Sequence, residues 1–451
     1  MSHLSCFKAY DIRGQVPDEL DEKLAFRIGQ AYAAHFKPQK MALAHDIRLS
    51  GPSLTTALCE GFLQAGVDVV HLGQCGTEEI YFAASHLNDV DGAIIVTASH
   101  NPAAYNGMKM VLKGAIPVSG SSGLREIEAL AAAAHEVHGR NRGEANKLDN
   151  RPAYIDHLLS YIKAETLSPL KIVANPGNGG AGPIIAALAP HLPFQFIAID
   201  DEPDGHFPNG VPNPLLPENR AATSEAVRLH GAQLGLAWDG DFDRCFFFDE
   251  AGNFIEGYYI VGLLAQAMLK KAPGAKIIHD PRLTWNTQEL VRAAGGQPIM
   301  TKTGHAFIKE RMRSEDAVYG GEMSAHHYFR DFSYCDSGMI PWLLIAELLC
   351  QQQVSISSLV AQAKESFPVS GEINNKVAEP DEIIAAVEER YLSECQSRDD
   401  IDGLSMSFDN WRFNIRKSNT EPVLRLNVES RGDVPLMEEK TAELLAMIKG
   451  G

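Results

Sequence analysis

One pattern recurs three times along the chain: a short β-rich run, a polar turn carrying Gly, Pro, Asp or Asn, an amphipathic helix, then a second apolar run. The first copy begins Lys40-Met-Ala-Leu-Ala-His-Asp46-Ile-Arg48, continues at helical spacing through Leu58, Phe62 and Ala65, and closes on residues 66–72. The second begins Leu170-Lys-Ile-Val-Ala-Asn175-Pro-Gly177, followed by a helix over 183–191 and an apolar run over 194–199. The third begins Ala275-Lys-Ile-Ile-His-Asp280-Pro-Arg282, with its helix over 286–294 and its second run over 297–301. A β-period run that switches to the helical period and back is the crossover that builds parallel sheets. Three mixed α/β domains of related design are therefore expected, as if by duplication.

The C-terminal stretch breaks the pattern. Residues 404–408, 411–416 and 423–429 read as consecutive strands and 436–448 as a helix, which predicts a small α+β domain. Linkers near Asn150-Arg-Pro152, Glu256-Gly257 and Pro368 divide the 451 residues into expected domains at 1–149, 150–256, 257–368 and 369–451. With 45% hydrophobic residues there is enough apolar material for several cores.

Forty Lys and Arg against 58 Asp and Glu give a net charge of −18, which argues against nucleic-acid or membrane partners. By itself that charge also argues against an anionic substrate. The longest apolar stretches, 258–269 and 339–346, are shorter than a membrane span, and the N-terminus lacks a signal core. Seven scattered cysteines without a CxxC pair suit reduced thiols, so a cytoplasmic location is expected.

Four loops carry chemistry. Asp239-Gly-Asp241-Phe-Asp243-Arg244 follows an apolar strand and places carboxylates at i, i+2 and i+4, a set able to converge on one hard divalent cation, with Mg²⁺ the default. A solvated acidic loop, an EF-hand with Arg244 where Gly belongs, and an Asp-x-Asp phosphotransferase remain alternatives at this point. Thr97-Ala-Ser99-His-Asn-Pro102 ends a buried strand and turns the Ser99 hydroxyl outward; such a serine is ordinarily only a turn former. A phosphoryl group on Ser99 would add about −1.5 to −2 charge. Beside three aspartates it would need nearby cations such as Arg244 and Lys109. Gly321-Glu322-Met-Ser324-Ala-His326 suits hydrogen bonding to sugar hydroxyls, with a plain polar turn as the bland alternative. Lys302 and His305 lie in a similar loop, His305 as an acid or base, and Arg282 stands at a strand end where ligands of open sheets gather. Arg416-Lys-Ser418-Asn419-Thr420 forms a phosphate cradle or, at its simplest, a basic hairpin tip.

Taken in order, Lys8-Ala-Tyr-Asp11-Ile-Arg13-Gly14 and these four motifs resemble the α-D-phosphohexomutase superfamily over essentially the whole chain, closest to its bacterial phosphomannomutase branch. The resemblance implies four domains around a central cleft, the last one TATA-binding-protein-like. It implies Ser99 as a phosphoserine that holds Mg²⁺ together with Asp239, Asp241 and Asp243, with Arg13, Lys109 and Arg244 neutralising the phosphate. Glu322 and Ser324 would read the sugar, and Arg416, Ser418, Asn419 and Thr420 would grip its non-reacting phosphate. Lys109, His305 and His326 are the acid/base candidates, and Arg282 and Lys302 further substrate contacts. The implied reaction interconverts mannose 6-phosphate and mannose 1-phosphate through a hexose 1,6-bisphosphate, which also serves as activator, and feeds GDP-mannose synthesis. Glucose specificity or dual specificity is the alternative, followed by a non-catalytic phosphosugar-binding protein. A monomer or homodimer is expected. Ala325 stands where many relatives have Gly, and Lys417 fills a variable position.

Overall fold

The computed structural model describes residues 4–417 and 423–450. It divides into two compact units, one formed by residues up to Phe254 together with Asp331–Gln351, the other by Ile255–Arg330 with the segment from Gln352 onward. Ser418, Asn419 and Thr420 lie outside the described residues.

The three repeats become three sheets with one connectivity. In the first, Lys40–His45 runs parallel to Asp68–Gln74 on one side and to Gly92–Val96 on the other, and Tyr105–Leu112 returns antiparallel. In the second, Lys171–Asn175 lies parallel between Gln195–Ala198 and Leu234–Trp238, with Cys245–Phe248 returning antiparallel. In the third, Lys276–His279 lies parallel between Gln297–Met300 and Tyr319–Gly321, and His327–Phe329 returns antiparallel. The four strands named for each of the first two sheets belong to the first unit, and the four named for the third belong to the second.

Local chemistry explains these elements. Central strands such as Gly92–Val96 and Leu234–Trp238 are buried along their whole length, as parallel strands covered on both faces must be. Helix Glu22–Phe36 starts where the Asp21 carboxylate accepts the Leu24 N–H at 2.7 Å, satisfying an otherwise orphan donor. The two apolar stretches too short for a membrane span lie within or largely within buried helices, Gly257–Lys271 and Ile340–Gln352. Among the described residues no single helix is long and apolar enough to cross a membrane.

The last sheet is wholly antiparallel, in the order Ile373–Lys376, Val423–Ser430, Trp411–Lys417, Leu404–Ser407, Ser397–Asp399. Helices Pro380–Tyr391 and Val434–Gly450 share one core with it, built on Phe413, Ile415, Leu424, Leu426 and Val428. The α+β expectation holds, and the first and last strands and the first helix are additions to it.

Candidate active site

The shared connectivity places the chemistry. In every α/β sheet the turn between the third strand and its antiparallel return carries a motif: the Ser99 loop follows Gly92–Val96, the Asp239–Asp243 loop follows Leu234–Trp238, and the Glu322 loop follows Tyr319–Gly321. The turn after each first strand is equally conserved in form. Its Asp or Asn side chain accepts the backbone N–H two residues on: Arg48 to Asp46 and Arg282 to Asp280, both at 2.9 Å, and Gly177 to Asn175 at 2.8 Å.

In the first unit the Ser99 and aspartate loops meet. Ser99 Oγ donates to Asp239 Oδ2 at 3.2 Å. Asp239, Asp241 and Asp243 are buried, and one oxygen from each lies within 4.8 Å of the others. Gly240 permits the approach, since a Cβ there would stand 2.8 Å from the Ser99 carbonyl oxygen. Lys109 Nζ donates to Asp241 at 2.8 Å and Asp243 at 2.5 Å, and Arg244 Nε to Asp239 at 2.8 Å. Arg13, paired with Asp11 at 2.9 Å, donates to the Ala98 carbonyl at 2.7 Å and to Asn101 Oδ1 at 2.5 Å.

Burial by itself would lower the Lys109 ammonium, yet Asp241 and Asp243 hold it above the usual lysine range. Burial would raise Asp241; Lys109, with the Thr77 and Ser99 hydroxyls, keeps it below the usual carboxylate range. His100 goes the other way: burial, then Arg244 and Arg13, push it well below the ordinary imidazole value. It is therefore neutral, and because Arg244 Nη2 donates to its Nδ1 at 2.7 Å, its proton sits on Nε2.

The carboxylate set fits a hard divalent cation. All its donors are oxygen, and Asp241 Oδ1 and Asp243 Oδ1 are buried without a hydrogen-bond partner among the described residues.

In the second unit Arg282 is the hub. Its guanidinium donates to Asp280 at 2.7 Å, Glu372 at 3.2 Å and Ser324 Oγ at 3.3 Å, and lies 3.8 Å from Glu322. Glu322 accepts the Gly304 N–H at 3.0 Å and the Tyr328 hydroxyl at 2.5 Å, tying its own loop to the loop of Lys302 and His305. Glu372 also pairs with Arg416 at 3.4 Å and Arg425 at 3.2 Å. Lys302 Nζ lies 5.2 Å over the Phe307 ring, His305 opens helix His305–Glu315, and half-buried His326 stacks on Tyr328. Ala325 adopts φ 71°, the left-handed conformation that favours glycine.

The structure thus gathers Ser99, Asp239, Asp241, Asp243, Lys109, Arg244 and Arg13 in one unit and Arg282, Glu322, Ser324 and Arg416 in the other. Of the acid/base candidates, Lys109 falls in the first unit and His305 and His326 in the second. Arg48, Thr77, His100 and Glu372 went unremarked in the sequence; for His100 the signal was there, inside the quoted serine motif. The inference from net charge is corrected as well. Buried cations line these clusters while the acidic excess lies elsewhere, so −18 says nothing about an anionic ligand.

A serine hydroxyl among buried carboxylates, each matched by a cation, is suited to carrying a phosphoryl group, and the arginine-rich second unit to holding an anionic sugar ester. Comparison with known proteins agrees. Models of the phosphoglucomutase/phosphomannomutase α/β/α domains I, II and III match residues 5–138, 152–252 and 256–367, and the C-terminal domain model matches 372–446. A phosphomannomutase of Salmonella montevideo is 61% identical, across 99% of this chain and 100% of that one. A Xanthomonas campestris protein described as phosphohexose mutases is 57% identical at the same coverage. A crystal structure of a phosphoglucomutase/phosphomannomutase family protein from Burkholderia thailandensis superimposes with a TM-score of 0.89 at 33% identity, covering 100% of this chain and 99% of that one. The chain belongs to the phosphoglucomutase/phosphomannomutase family, and it is an enzyme, a sugar-phosphate mutase of the isomerase class.

Proposed function

We propose that the enzyme interconverts mannose 6-phosphate and mannose 1-phosphate with Ser99 as the phosphoryl carrier. The observation that carries this reading is the charge arrangement around Ser99: three buried aspartates are ion-paired with Lys109 and Arg244, and Arg13, itself paired with Asp11, acts on Asp241 and Asp243 at longer range. A phosphoryl group of about −2 on Ser99, together with one divalent cation, leaves its net charge unchanged. Mg²⁺ held by Asp239, Asp241, Asp243 and a phosphoryl oxygen would supply charge neutralisation on the transferring group.

The sugar hydroxyl attacks phosphorus and forms the new P–O bond while the bond to Ser99 Oγ breaks. The hydroxyl proton passes to His305 or His326, and Ser99 Oγ takes up one proton as its bond to phosphorus breaks, so that one proton is lost and one gained in each transfer while Asp239 stays ionised beside Arg244. Lys109, fixed as a cation between two carboxylates, acts through its charge. The resulting hexose 1,6-bisphosphate turns over, and its other phosphate returns to Ser99. Glu322, Ser324 and Arg282 read the sugar; Arg416, with Lys302, Ser418, Asn419 and Thr420, grips the phosphate that does not react. Catalysis is chiefly positioning and electrostatics. Added hexose 1,6-bisphosphate primes the unphosphorylated enzyme. The product supplies GDP-mannose synthesis in the cytoplasm, with the enzyme a monomer or homodimer.

Ser99→Ala should abolish turnover and remove a phosphate's mass from the purified protein; retained activity overturns the mechanism. A panel of sugar 1-phosphates primed with glucose 1,6-bisphosphate tests the substrate. Far better turnover of glucose 1-phosphate than mannose 1-phosphate would favour the second reading, a broader phosphohexose mutase, which the Xanthomonas relative's description supports.

A further inference from the structure

We infer that Arg48 is a positioning residue for the phosphoryl-carrying serine, acting through the backbone of the loop that presents it. The inference rests on the assignment of Ser99 as carrier. Ser99 has φ 49°, a left-handed conformation that a side-chain-bearing residue rarely adopts unless its surroundings impose it. Arg48 is the imposing group. Its Nη2 donates to the carbonyls of Ser99 at 2.8 Å and Asn101 at 2.6 Å, and its Nη1 to those of Pro102 and Tyr105, both at 2.8 Å. One fully buried guanidinium thus reaches four carbonyls of the turn, of which that of Pro102 also accepts the Tyr105 N–H at 2.9 Å.

Asp46 completes the clamp from the serine's other side. Its Oδ2 accepts the Thr97 hydroxyl at 2.6 Å, and Thr97 Oγ1 in turn accepts the Ser99 N–H at 3.0 Å. The Ser99 N–H and C=O are therefore both tied to one turn, the one after strand Lys40–His45. The Phe207 ring, 5.3 Å from the guanidinium carbon, packs on the Arg48 side chain. Only a planar fork of donors spans this set; a lysine ammonium, a point charge with donors on one atom, cannot. What the clamp fixes is the direction of Ser99 Oγ toward Asp239, not the sugar's binding groups.

Arg48→Ala should therefore lower kcat by about a hundredfold, the order expected for a misplacement on the scale of an ångström, with KM for mannose 1-phosphate unchanged. Phosphorylation of the dephosphorylated variant by glucose 1,6-bisphosphate, followed by intact mass, should slow in parallel. Methylguanidinium should restore both rates, and Arg48→Lys, which keeps the charge beside Asp46, should not restore them. Wild-type kcat and phosphorylation rate in folded Arg48→Ala, or in Arg48→Lys should the alanine variant not fold, overturns the inference. A KM rise with kcat intact, or loss that methylguanidinium leaves untouched, overturns it too. Failure of the underlying assignment looks different: wild-type protein without phosphate on Ser99, and an active Ser99→Ala.

Discussion

The turn after strand Lys40–His45 in the first unit and the turn after strand Lys276–His279 in the second are written with the same residues, His-Asp-x-Arg, and make the same local bonds. His45 Nδ1 and His279 Nδ1 each meet the carbonyl of the following Asp at 2.8 Å, and each Asp accepts the Arg N–H at 2.9 Å. In both, the second Asp oxygen braces the neighbouring motif loop, at Thr97 Oγ1 from Asp46 and at the Met323 N–H from Asp280. Beyond that the arginines part. Arg48 spends its terminal nitrogens on backbone carbonyls and lies 3.4 Å from Asp46, whereas Arg282 sits 2.7 Å from Asp280 and reaches Glu372 and Ser324. The carboxyls record the difference. Burial raises Asp46 above its ordinary range because the distant Arg48 offsets it incompletely, while Arg282 overcomes burial and lowers Asp280. One local code thus yields one backbone, and the tertiary neighbours decide whether the arginine shapes a loop or organises charge.

The sharpest way to break this comparison is to delete the charges. Arg282→Ala strands Asp280 in the interior and should cost about 3–5 kcal/mol in urea unfolding. Adding Asp280→Asn should recover about 1 kcal/mol or more of that loss. The matching pair, Arg48→Ala with Asp46→Asn, should recover less, because Arg48 leaves orphaned carbonyls that a neutral side chain does not repair. Equal recovery in both cycles would mean that both arginines are simple ion-pair partners.

A second test separates the units by pH. Glu78, in the first unit, accepts the Tyr154 hydroxyl, and burial pushes its carboxyl up to about 8 from 4.5. The folded state thus binds a proton that the unfolded chain releases, so its contribution to stability falls as pH rises from about 4.5 to about 8 and is flat outside that window. Glu429 in the second unit is instead paired with Arg412 at 2.9 Å. Glu78→Gln should remove a pH dependence on the order of a few kcal/mol, read from melting temperature across that window. An unchanged pH profile would show that Glu78 ionises freely. The smallest effect concerns strain. Ala325→Gly should stabilise the second unit by about 1 kcal/mol, since φ 71° costs a Cβ-bearing residue roughly that much. No gain in thermal unfolding would show that the loop relaxes around alanine at no cost.

Much of this was legible in the sequence for a physical reason. The apolar strands of the repeats announce themselves because they are buried throughout, and the aspartate spacing reads as one site because its ligands are local. Arg48 and Glu372 stayed silent because their partners lie far along the chain, from Ser99 to Tyr105 for one and at Arg282, Arg416 and Arg425 for the other. Strands Ile373–Lys376 and Ser397–Asp399 were missed because they are short, polar and partly exposed, without the alternation that marks a half-buried strand.

The fit between Gly240 and the Ser99 carbonyl has a consequence for how the enzyme comes into being. The two loops belong to different sheets, and their partners Ser99 and Asp239 are separated by 140 positions. Neither sheet alone offers the hydroxyl, the carboxylates and the cations together. On the proposed assignment of Ser99 as phosphoryl carrier, a chain with either sheet misassembled cannot be charged with phosphate, so every phosphorylated molecule in a preparation is one in which both sheets are built.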